Sequence, residues 1–292
     1  TYTVEEATFD SFKGIDIALF AGGSISKDFA PHAVKAGAVV IDNSSAFRMD
    51  PEVPLVVPEV NPQAILKHKG IIANPNCSTI IMVMALKPIY DLAKIKRVIV
   101  STYQAVSGAG KEGIDELDAQ VRDHSEGREM TANILPSASA EKHYPIAFNL
   151  IPQIDVFCDN LYTKEEMKMV NETKKIMEDY EMRITATTIR VPVYRSHSES
   201  VNIELEKEVD LGAMREALAK FPGVTVQDDP SKQEYPMPLY TSEKDDVYVG
   251  RLRRDESCEK SYNMWVVGDQ IRKGAALNTL QIAETMIKNG WI

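Results

Sequence analysis

Short apolar runs alternate with one amphipathic stretch over the first quarter of the chain. The run Ile15–Phe20 is followed directly by small residues that include Gly22 and Gly23, a pattern typical of a buried strand and a tight turn. A helix is predicted over Ser26–Ala36. Further apolar runs follow at Ala38–Ile41, Val53–Val60 and Gly70–Ala73. This alternation predicts parallel βαβ units in a doubly wound sheet.

The pattern changes after Asn76, where longer elements follow one another. Helices are predicted over Cys77–Tyr90, Lys164–Tyr180, Leu211–Lys220 and Gly274–Asn289. Strands are predicted over Arg97–Ala105, Ile184–Val193, Glu199–Lys207, Asp246–Arg253 and Tyr262–Gly268. Several extended strands with few helices between them indicate a mixed or antiparallel sheet. We therefore expect an α/β chain of two domains, residues 1–76 with 274–292 and residues 77–273.

Composition excludes several classes of protein. The chain has 292 residues, 44% of them hydrophobic and 26% charged, which is enough to bury two cores without disulfides or metal. Its 33 basic and 43 acidic residues give a net charge of −10, which disfavours nucleic acid and anionic membranes as partners. No apolar run approaches the roughly 20 residues that span a bilayer. Any anionic ligand must be held by local cations.

The cysteines indicate a reducing compartment. Cys77, Cys158 and Cys258 are too few and too scattered for a disulfide framework, and no Cys/His pair has zinc spacing. We expect a metal-free, cytoplasmic protein.

The sharpest chemical signal is the segment NPNCST at 74–79. Pro75 rigidifies a turn, Asn76 is a suitable N-cap, and Cys77 begins the apolar helix. A cysteine at a helix N-terminus has its thiolate favoured by the macrodipole and becomes a candidate nucleophile. A buried structural cysteine is an equally good interpretation of this local pattern alone.

His197 is the best candidate for a partner base, because arginines precede it at 190 and 195. These arginines could hold an anionic substrate while the imidazole moves a proton. Arg190 and His197 are seven residues apart, so an unbroken strand would point them to opposite faces. They converge only if Pro192 or the turn before His197 breaks the strand. A histidine in a solvated turn is the alternative.

Three weaker signals remain open. Glu165 and Lys168 share one face of a helix, where a solvated ion pair is the simplest interpretation. Arg48 follows a strand at its C-terminal end and is either an anion clamp or a surface arginine. The segment GAGKEG (108–113) matches the GxGxxG pattern, but no second strand of a βαβ unit follows it, so it is at most a loop that touches a cofactor.

Together these segments resemble those of the aspartate-semialdehyde dehydrogenases, and the resemblance covers essentially the whole chain. The matching blocks, in order, are AGGSIS (21–26), DNSSAFR (42–48), VPEVN (57–61), ANPNCST (73–79), QAVSGAGKEG (104–113), EEMK (165–168), RVPVYRSHSES (190–200) and DQIRKGAALNTLQIAE (269–284). A single match would be weak evidence, whereas eight in order are highly specific.

The resemblance implies an NADP-dependent, reversible, phosphorylating aldehyde dehydrogenase on the route to lysine, threonine and methionine. In the biosynthetic direction it converts 4-aspartyl phosphate to aspartate semialdehyde and inorganic phosphate through a thioacyl group on Cys77. By position, His197 matches the acid–base group, and Gln104 matches the residue that orients the acyl intermediate. Arg190 would bind the substrate carboxylate and Glu165 its ammonium group.

The remaining implied roles concern phosphate, cofactor and assembly. Phosphate would be held by Arg48, Asn76 and Lys168. The cofactor would lie near Gly22, Gly23, Asn43, Ser107, Gly108 and Asn278. Residues 1–76 with 274–292 would form a Rossmann-type cofactor domain, and residues 77–273 a domain for catalysis and dimerisation, in a homodimer or homotetramer.

The chain departs from the family pattern at its beginning. The family starts upstream with a strand, a GxxGxxG loop and the residues that select the 2′-phosphate, so we expect an N-terminally truncated cofactor domain with weakened cofactor affinity. The preference for NADP over NAD then rests on the family alone. An N-acetylglutamyl-phosphate reductase is the main alternative, although Glu165 argues against it because an acetylated amine offers no ammonium. A catalytically incompetent truncated relative is a further alternative.

Overall fold

The computed structural model describes residues 3–292 and divides into two compact units, residues 3–76 with Ala275–Ile292, and Cys77–Gly274. The strands are β1 (Ile17–Phe20), β2 (Val39–Asp42), β3 (Ile71–Ala73), β4 (Ile95–Gln104), β5 (Arg183–Arg190), β6 (His197–Leu205), β7 (Val224–Val226), β8 (Val247–Arg254) and β9 (Ser261–Gly268). The α-helices are α1 (Ser26–Lys35), α2 (Cys77–Leu92), α3 (Lys111–Ser125), α4 (Lys164–Met177), α5 (Leu211–Lys220), α6 (Pro238–Thr241) and α7 (Leu277–Asn289). Within residues 3–292, no helix is both long and apolar enough to cross a bilayer.

The first unit is built on a parallel sheet with the strand order β1-β2-β3. Val40 and Ile41, which are adjacent in β2, belong to different apolar cores. The Val40 core includes Ala30 and Ala33 of α1, whereas the Ile41 core includes Met286 of α7. Because adjacent strand residues point to opposite faces, α1 and α7 cover opposite faces of this sheet.

The apolar run Val53–Val60 forms no regular strand, in contrast to its neighbours. Its single ladder contact is a bridge between Leu55 and Ala73. Pro54 and Pro58 explain the difference, because proline has no backbone N–H to donate to a strand ladder.

The second unit is built on a six-stranded sheet with the order β5-β4-β6-β9-β8-β7. The β4–β5 and β7–β8 pairs are parallel, and the other neighbours are antiparallel. The expected fold class, α/β with a parallel sheet in the first domain and a mixed sheet in the second, is therefore confirmed.

Helix α2 lies at the centre of the second unit, where it packs against α4, α5, β8 and β9. Every residue from Ser78 to Leu86 is buried, as expected for a helix that is apolar on all sides. The N-terminal end of α2 is therefore held rigidly by its surroundings, and Cys77 is the residue that this end presents.

Candidate active site

Cys77 is the first residue of α2, and its thiol is partly exposed. The helix runs for 16 residues, so its macrodipole favours a thiolate at this end. Gly274 packs closely against it, since a Cβ placed on Gly274 would lie 3.1 Å from the Cys77 Cβ. This partial exposure fits a nucleophile better than an inert buried cysteine.

Three buried side chains lie side by side on neighbouring strands of the second unit. Arg190 ends β5, Gln104 ends β4 in register with it, and His197 begins β6. The Gln104 Nε2 atom is 3.4 Å from His197 Nε2. We call Arg190, Gln104 and His197 the site row. His197 is fully buried, so the interpretation as a histidine in a solvated turn was wrong.

The site row exists because the chain breaks between β5 and β6. Strand β5 stops at Arg190, earlier than predicted, and Ser196 takes a positive φ of 75° immediately before His197. The Ser196 N–H donates to Gln270 Oε1 at 2.8 Å, and the Gln270 amide donates to Ser107 Oγ. The break cancels the strand alternation, so Arg190 and His197 meet despite their spacing. Sequence reasoning did not single out Gln270, although it lies in the last matching block.

Gly108 lies directly against the site row. A Cβ on this residue would be 2.6 Å from Arg190 Nη1 and 3.2 Å from His197 Cε1. Any larger residue would therefore displace both side chains. The GAGKEG segment is thus a loop at the site, and it precedes α3 without a following βαβ strand.

His197 faces N–H donors at both ring nitrogens. The Ala105 backbone N–H donates to Nδ1 at 3.1 Å, and the Gln104 amide nitrogen lies near Nε2. Burial, together with the positive charge of Arg190, lowers the pKa of His197 well below its usual range. The imidazole is therefore neutral at neutral pH.

Arg190 is a buried cation with capacity for an anion. Its Nη1 donates to the Ala105 carbonyl at 2.7 Å, whereas its Nε has no hydrogen-bond partner within residues 3–292. Burial lowers the pKa of Arg190, while the negative charges of Glu165 and Cys77 oppose this effect. A planar guanidinium with a donor to spare suits a carboxylate ligand.

Glu165 and Lys168 connect α4 to the site row. Glu165 is only 5% exposed and accepts from Gln104 Nε2 at 3.2 Å and from Lys168 at 3.1 Å. Lys168 also donates to Asp155 at 3.0 Å. Burial lowers the pKa of Lys168, but these two carboxylates outweigh burial and raise it overall. The predicted ion pair is present, but it is half-buried rather than solvated.

A chain of asparagine side chains links the polar residues predicted in the first unit. Asn74 donates to Asn43 Oδ1 at 2.6 Å and accepts from Asn278 at 2.7 Å. Asn43 and Asn74 follow β2 and β3, at the carboxyl edge where α/β sheets bind ligands. Arg48 is buried and donates to the Asn43 carbonyl at 3.0 Å, and Asn76 is also buried. The sequence motifs included Asn74, but its linking position became apparent only in the structure.

Gly22 borders a cavity of about 610 Å³ in the same unit. A Cβ on Gly22 would come within 2.6 Å of an Ile25 methyl group, and Gly23 has a φ of 65°, a conformation that favours glycine. Ser26 begins α1 at this cavity, and its buried hydroxyl has no hydrogen-bond partner within residues 3–292. The rest of the lining is mostly apolar and includes Phe12, Phe20 and Phe29, so the polar features of this cavity are confined to the edge formed by Gly22 and Ser26 and to Glu6.

Comparison with known proteins identifies the family of the chain. The profile described as semialdehyde dehydrogenase, dimerisation domain, matches residues 86–273, and that of the semialdehyde dehydrogenase NAD binding domain matches residues 1–68. An aspartate-semialdehyde dehydrogenase of Aquifex aeolicus is 57% identical over 295 aligned residues, covering 100% of this chain and 85% of the relative. One of Bacillus subtilis is 54% identical, covering 98% and 83%.

A solved structure is similar as well. Aspartate semialdehyde dehydrogenase II from Vibrio cholerae, in complex with ASA, superimposes with a TM-score of 0.88 at 47% identity, covering 94% of this chain and 80% of that one. The resemblance predicted from the motifs is confirmed, and the chain belongs to the aspartate-semialdehyde dehydrogenase family.

Proposed function

We propose that this chain interconverts 4-aspartyl phosphate and aspartate semialdehyde, with Cys77 as nucleophile. The observation that carries the proposal is the site row of Arg190, Gln104 and His197, buried in the same unit whose central helix presents the Cys77 thiol. High identity to aspartate-semialdehyde dehydrogenases supports this substrate over N-acetylglutamyl phosphate.

Arg190 and Glu165 are proposed to bind the amino-acid end of the substrate. The Nε donor of Arg190, buried without a hydrogen-bond partner within residues 3–292, can pair with the α-carboxylate. Glu165 can accept from the α-ammonium group with the oxygens that now accept from Gln104 and Lys168. Two opposite charges at fixed positions would orient the aldehyde carbon and exclude substrates without a free amine.

Cys77 is proposed to attack the aldehyde carbon and form a thiohemiacetal. The carbonyl electrons move onto oxygen, where the Gln104 amide can donate to the developing negative charge. After loss of hydride the carbon is a thioacyl group on Cys77, and attack by inorganic phosphate releases 4-aspartyl phosphate and the thiolate. In the biosynthetic direction each of these steps reverses.

His197 is proposed to hold the proton that the thiohemiacetal oxygen loses or gains. Because Ala105 N–H binds Nδ1, the nitrogen available to the substrate is Nε2. With Nδ1 accepting, the resting neutral ring carries its proton on Nε2. Before Nε2 can accept the substrate proton, that ring proton must move to Nδ1, which breaks the Ala105 hydrogen bond. The protonated ring is therefore disfavoured and returns its proton readily.

A nicotinamide nucleotide, when bound, supplies the hydride acceptor for oxidation or the hydride donor for reduction. Its proposed binding residues, carried over from the family resemblance, are Gly22, Gly23, Asn43, Ser107, Gly108 and Asn278. The choice of NADP over NAD follows the family resemblance.

Phosphate is proposed to bind Lys168, Arg48 and Asn76. A chain of net charge −10 needs such local cations, because its overall field repels a phosphate dianion.

The match to a dimerisation domain supports a homodimer or a pair of dimers. Since Cys77 must stay reduced to act as a nucleophile, we place the reaction in the cytoplasm.

The test is the formation of NADPH from aspartate semialdehyde, with and without phosphate, by this chain and by Cys77→Ser. We expect phosphate-dependent turnover that the substitution abolishes, while Cys258→Ser, at an exposed cysteine, retains it. Turnover of N-acetylglutamate semialdehyde in place of aspartate semialdehyde would favour the sister reductase. A folded chain that turns over neither substrate would contradict the proposal.

A further inference from the structure

A second row of side chains crosses the same three strands two residues further into the sheet than the site row. Thr102 is in register with Thr188 on one side and with Glu199 on the other. These residues are two positions along their strands from Gln104, Arg190 and His197, so they share the same face of the sheet. Thr188, Thr102 and Glu199, which we call the inner row, are all fully buried.

Glu199 is the unusual member of the inner row. Its exposed fraction is 0%, and neither carboxyl oxygen has a hydrogen-bond partner within residues 3–292. By contrast, Glu204 on the same strand pairs with Lys96 and Arg183 at the surface. A buried acid without a partner destabilises a fold, so its presence in β6 calls for a reason other than packing.

Thr102, the neighbour of Glu199 in the inner row, and Glu165 together fix which way the Gln104 amide points. Thr102 donates its hydroxyl proton to Gln104 Oε1 at 3.0 Å. The other end of the amide, Nε2, thereby faces Glu165 and His197. If the amide flipped, Oε1 would face the Glu165 carboxylate and the donor to the substrate oxygen would be lost.

We propose that Glu199 is a positioning residue, whose carboxyl group lies across the strand pair from Thr102. Through a rotated carboxyl group or one bridging water, rather than the direct hydrogen bond that the structure lacks, it holds the Thr102 hydroxyl in the orientation that donates to Gln104. This proposal rests on the proposed function, because it assigns Gln104 the role of donor to the substrate oxygen. Directly opposed residues of antiparallel strands have Cβ atoms about 5 Å apart, within reach of a rotated carboxyl group or of one bridging water.

The protonation of Glu199 is consistent with a hydrogen bond donated from Glu199 to Thr102. Burial raises the pKa of Glu199 well above its usual range, which favours the neutral acid with one O–H donor. That O–H can donate to Thr102 Oγ1, whose own proton then goes to Gln104. An ionised carboxylate would instead accept the Thr102 proton and release Gln104 Oε1.

The first test uses Glu199→Leu, Glu199→Gln, Thr102→Val and the control Glu204→Gln. Leucine fills a similar volume without a polar group, whereas glutamine keeps a neutral donor and acceptor. Turnover is expressed per chain in the fraction that elutes with the wild type in size-exclusion chromatography and has the wild-type circular dichroism spectrum, so that any unfolded fraction is excluded. We expect Glu199→Leu and Thr102→Val to lower kcat about ten- to a hundredfold, with KM for the semialdehyde changed less than about twofold.

Glutamine should rescue the site, so that Glu199→Gln stays within about threefold of the wild-type kcat, as does Glu204→Gln. The double variant Glu199→Leu/Thr102→Val should be no slower than the slower single variant, because both act through one hydrogen bond. Three outcomes would overturn the proposal: normal kcat in Glu199→Leu, an equal defect in Glu199→Gln, or multiplication of the two single effects.

A second readout does not depend on turnover. The side-chain amide protons of Gln104 can be observed by ¹H–¹⁵N NMR and assigned by their loss in Gln104→Met. We expect slow hydrogen exchange of these protons in the wild type and in Glu199→Gln, and faster exchange in Glu199→Leu and Thr102→Val. Unchanged exchange in Glu199→Leu would overturn the proposal, whereas a wild-type chain inactive on aspartate semialdehyde would contradict only the proposed function.

Discussion

His197 lies between two N–H donors, and a neutral imidazole has only one nitrogen that can accept. The Ala105 amide is fixed by the backbone and is the closer donor, at 3.1 Å against 3.4 Å for Gln104. We therefore expect the resting ring to carry its proton on Nε2. ¹⁵N NMR of the histidine ring nitrogens measures this directly, and a protonated Nδ1 in the resting chain would contradict the assignment.

The same surroundings determine how activity depends on pH. Because the pKa of His197 in the folded chain is lowered well below 6.5, the ring stays neutral at a pH where a free histidine is already half protonated. Catalysis that needs the neutral ring is then lost only at lower pH. The unfolded chain binds a proton near pH 6.5 whereas the folded chain does not, so this residue reduces stability increasingly as the pH falls below 6.5. Protonation of His197 near pH 6.5 in an NMR titration would show that burial and Arg190 do not have this effect.

Arg190 is predicted to act on substrate binding more than on the chemical step. Arg190→Lys keeps the charge but loses the planar fork, so we expect KM for aspartate semialdehyde to rise about tenfold or more with a smaller change in kcat. Arg183→Lys, at an exposed position of the same strand, is the matched control. Steady-state kinetics test this, and a change confined to the KM for phosphate would contradict the role.

At the scale of elements, the turn that carries Ser107 and Gly108 determines the spacing of the site row. Gly108→Ala places a methyl group 2.6 Å from Arg190 Nη1 and close to the His197 ring, so both side chains must move. Displacements of this size lower kcat/KM about tenfold or more. We expect this loss with little change in the melting temperature, and normal kinetics in a folded Gly108→Ala variant would contradict it.

Element types were largely predictable from the sequence, whereas the ends of elements were not. The long apolar helix at Cys77 and the strand at Arg97 are recognisable from periodicity, and the structure places them at Cys77–Leu92 and Ile95–Gln104. The end of β5 at Arg190 depends on Pro192 and on the Gln270 clamp, which lies far along the chain. The local sequence pattern therefore shows that Arg190 and His197 converge only if the strand breaks between them. It does not show that the strand breaks there.

At the scale of the whole molecule, the predicted dimer can be tested on the outer face of the second sheet. Ile99 lies between buried Val98 and Val100 in β4 and points to the opposite face from them. If this face is covered by a second copy, Ile99→Glu buries a charge there and shifts the chain toward monomer. Sedimentation velocity measures the shift, with Val121→Glu on α3 as the control. A dimer that is unaffected by Ile99→Glu would place the interface elsewhere.

The site as a whole could be predicted only in part. Cys77 and His197 carried local signals of their own, and Gln104, Glu165 and Lys168 acquired roles through the family resemblance. Glu199 lies inside one of the matching blocks. The alternation of buried and exposed positions along the strand, however, does not distinguish it from any other buried strand residue. Its significance depends on the register between β4 and β6, which is a long-range property of the fold.

The central claim, that Cys77 carries the acyl group, is tested most directly by trapping that group. The chain is incubated with aspartate semialdehyde and NADP⁺ without phosphate, quenched in acid, digested and analysed by mass spectrometry. We predict an aspartyl thioester on the peptide that contains Cys77, which disappears when phosphate is added before the quench. An acyl group on Cys158 or Cys258 instead, or turnover with no acyl group on Cys77, would contradict the account.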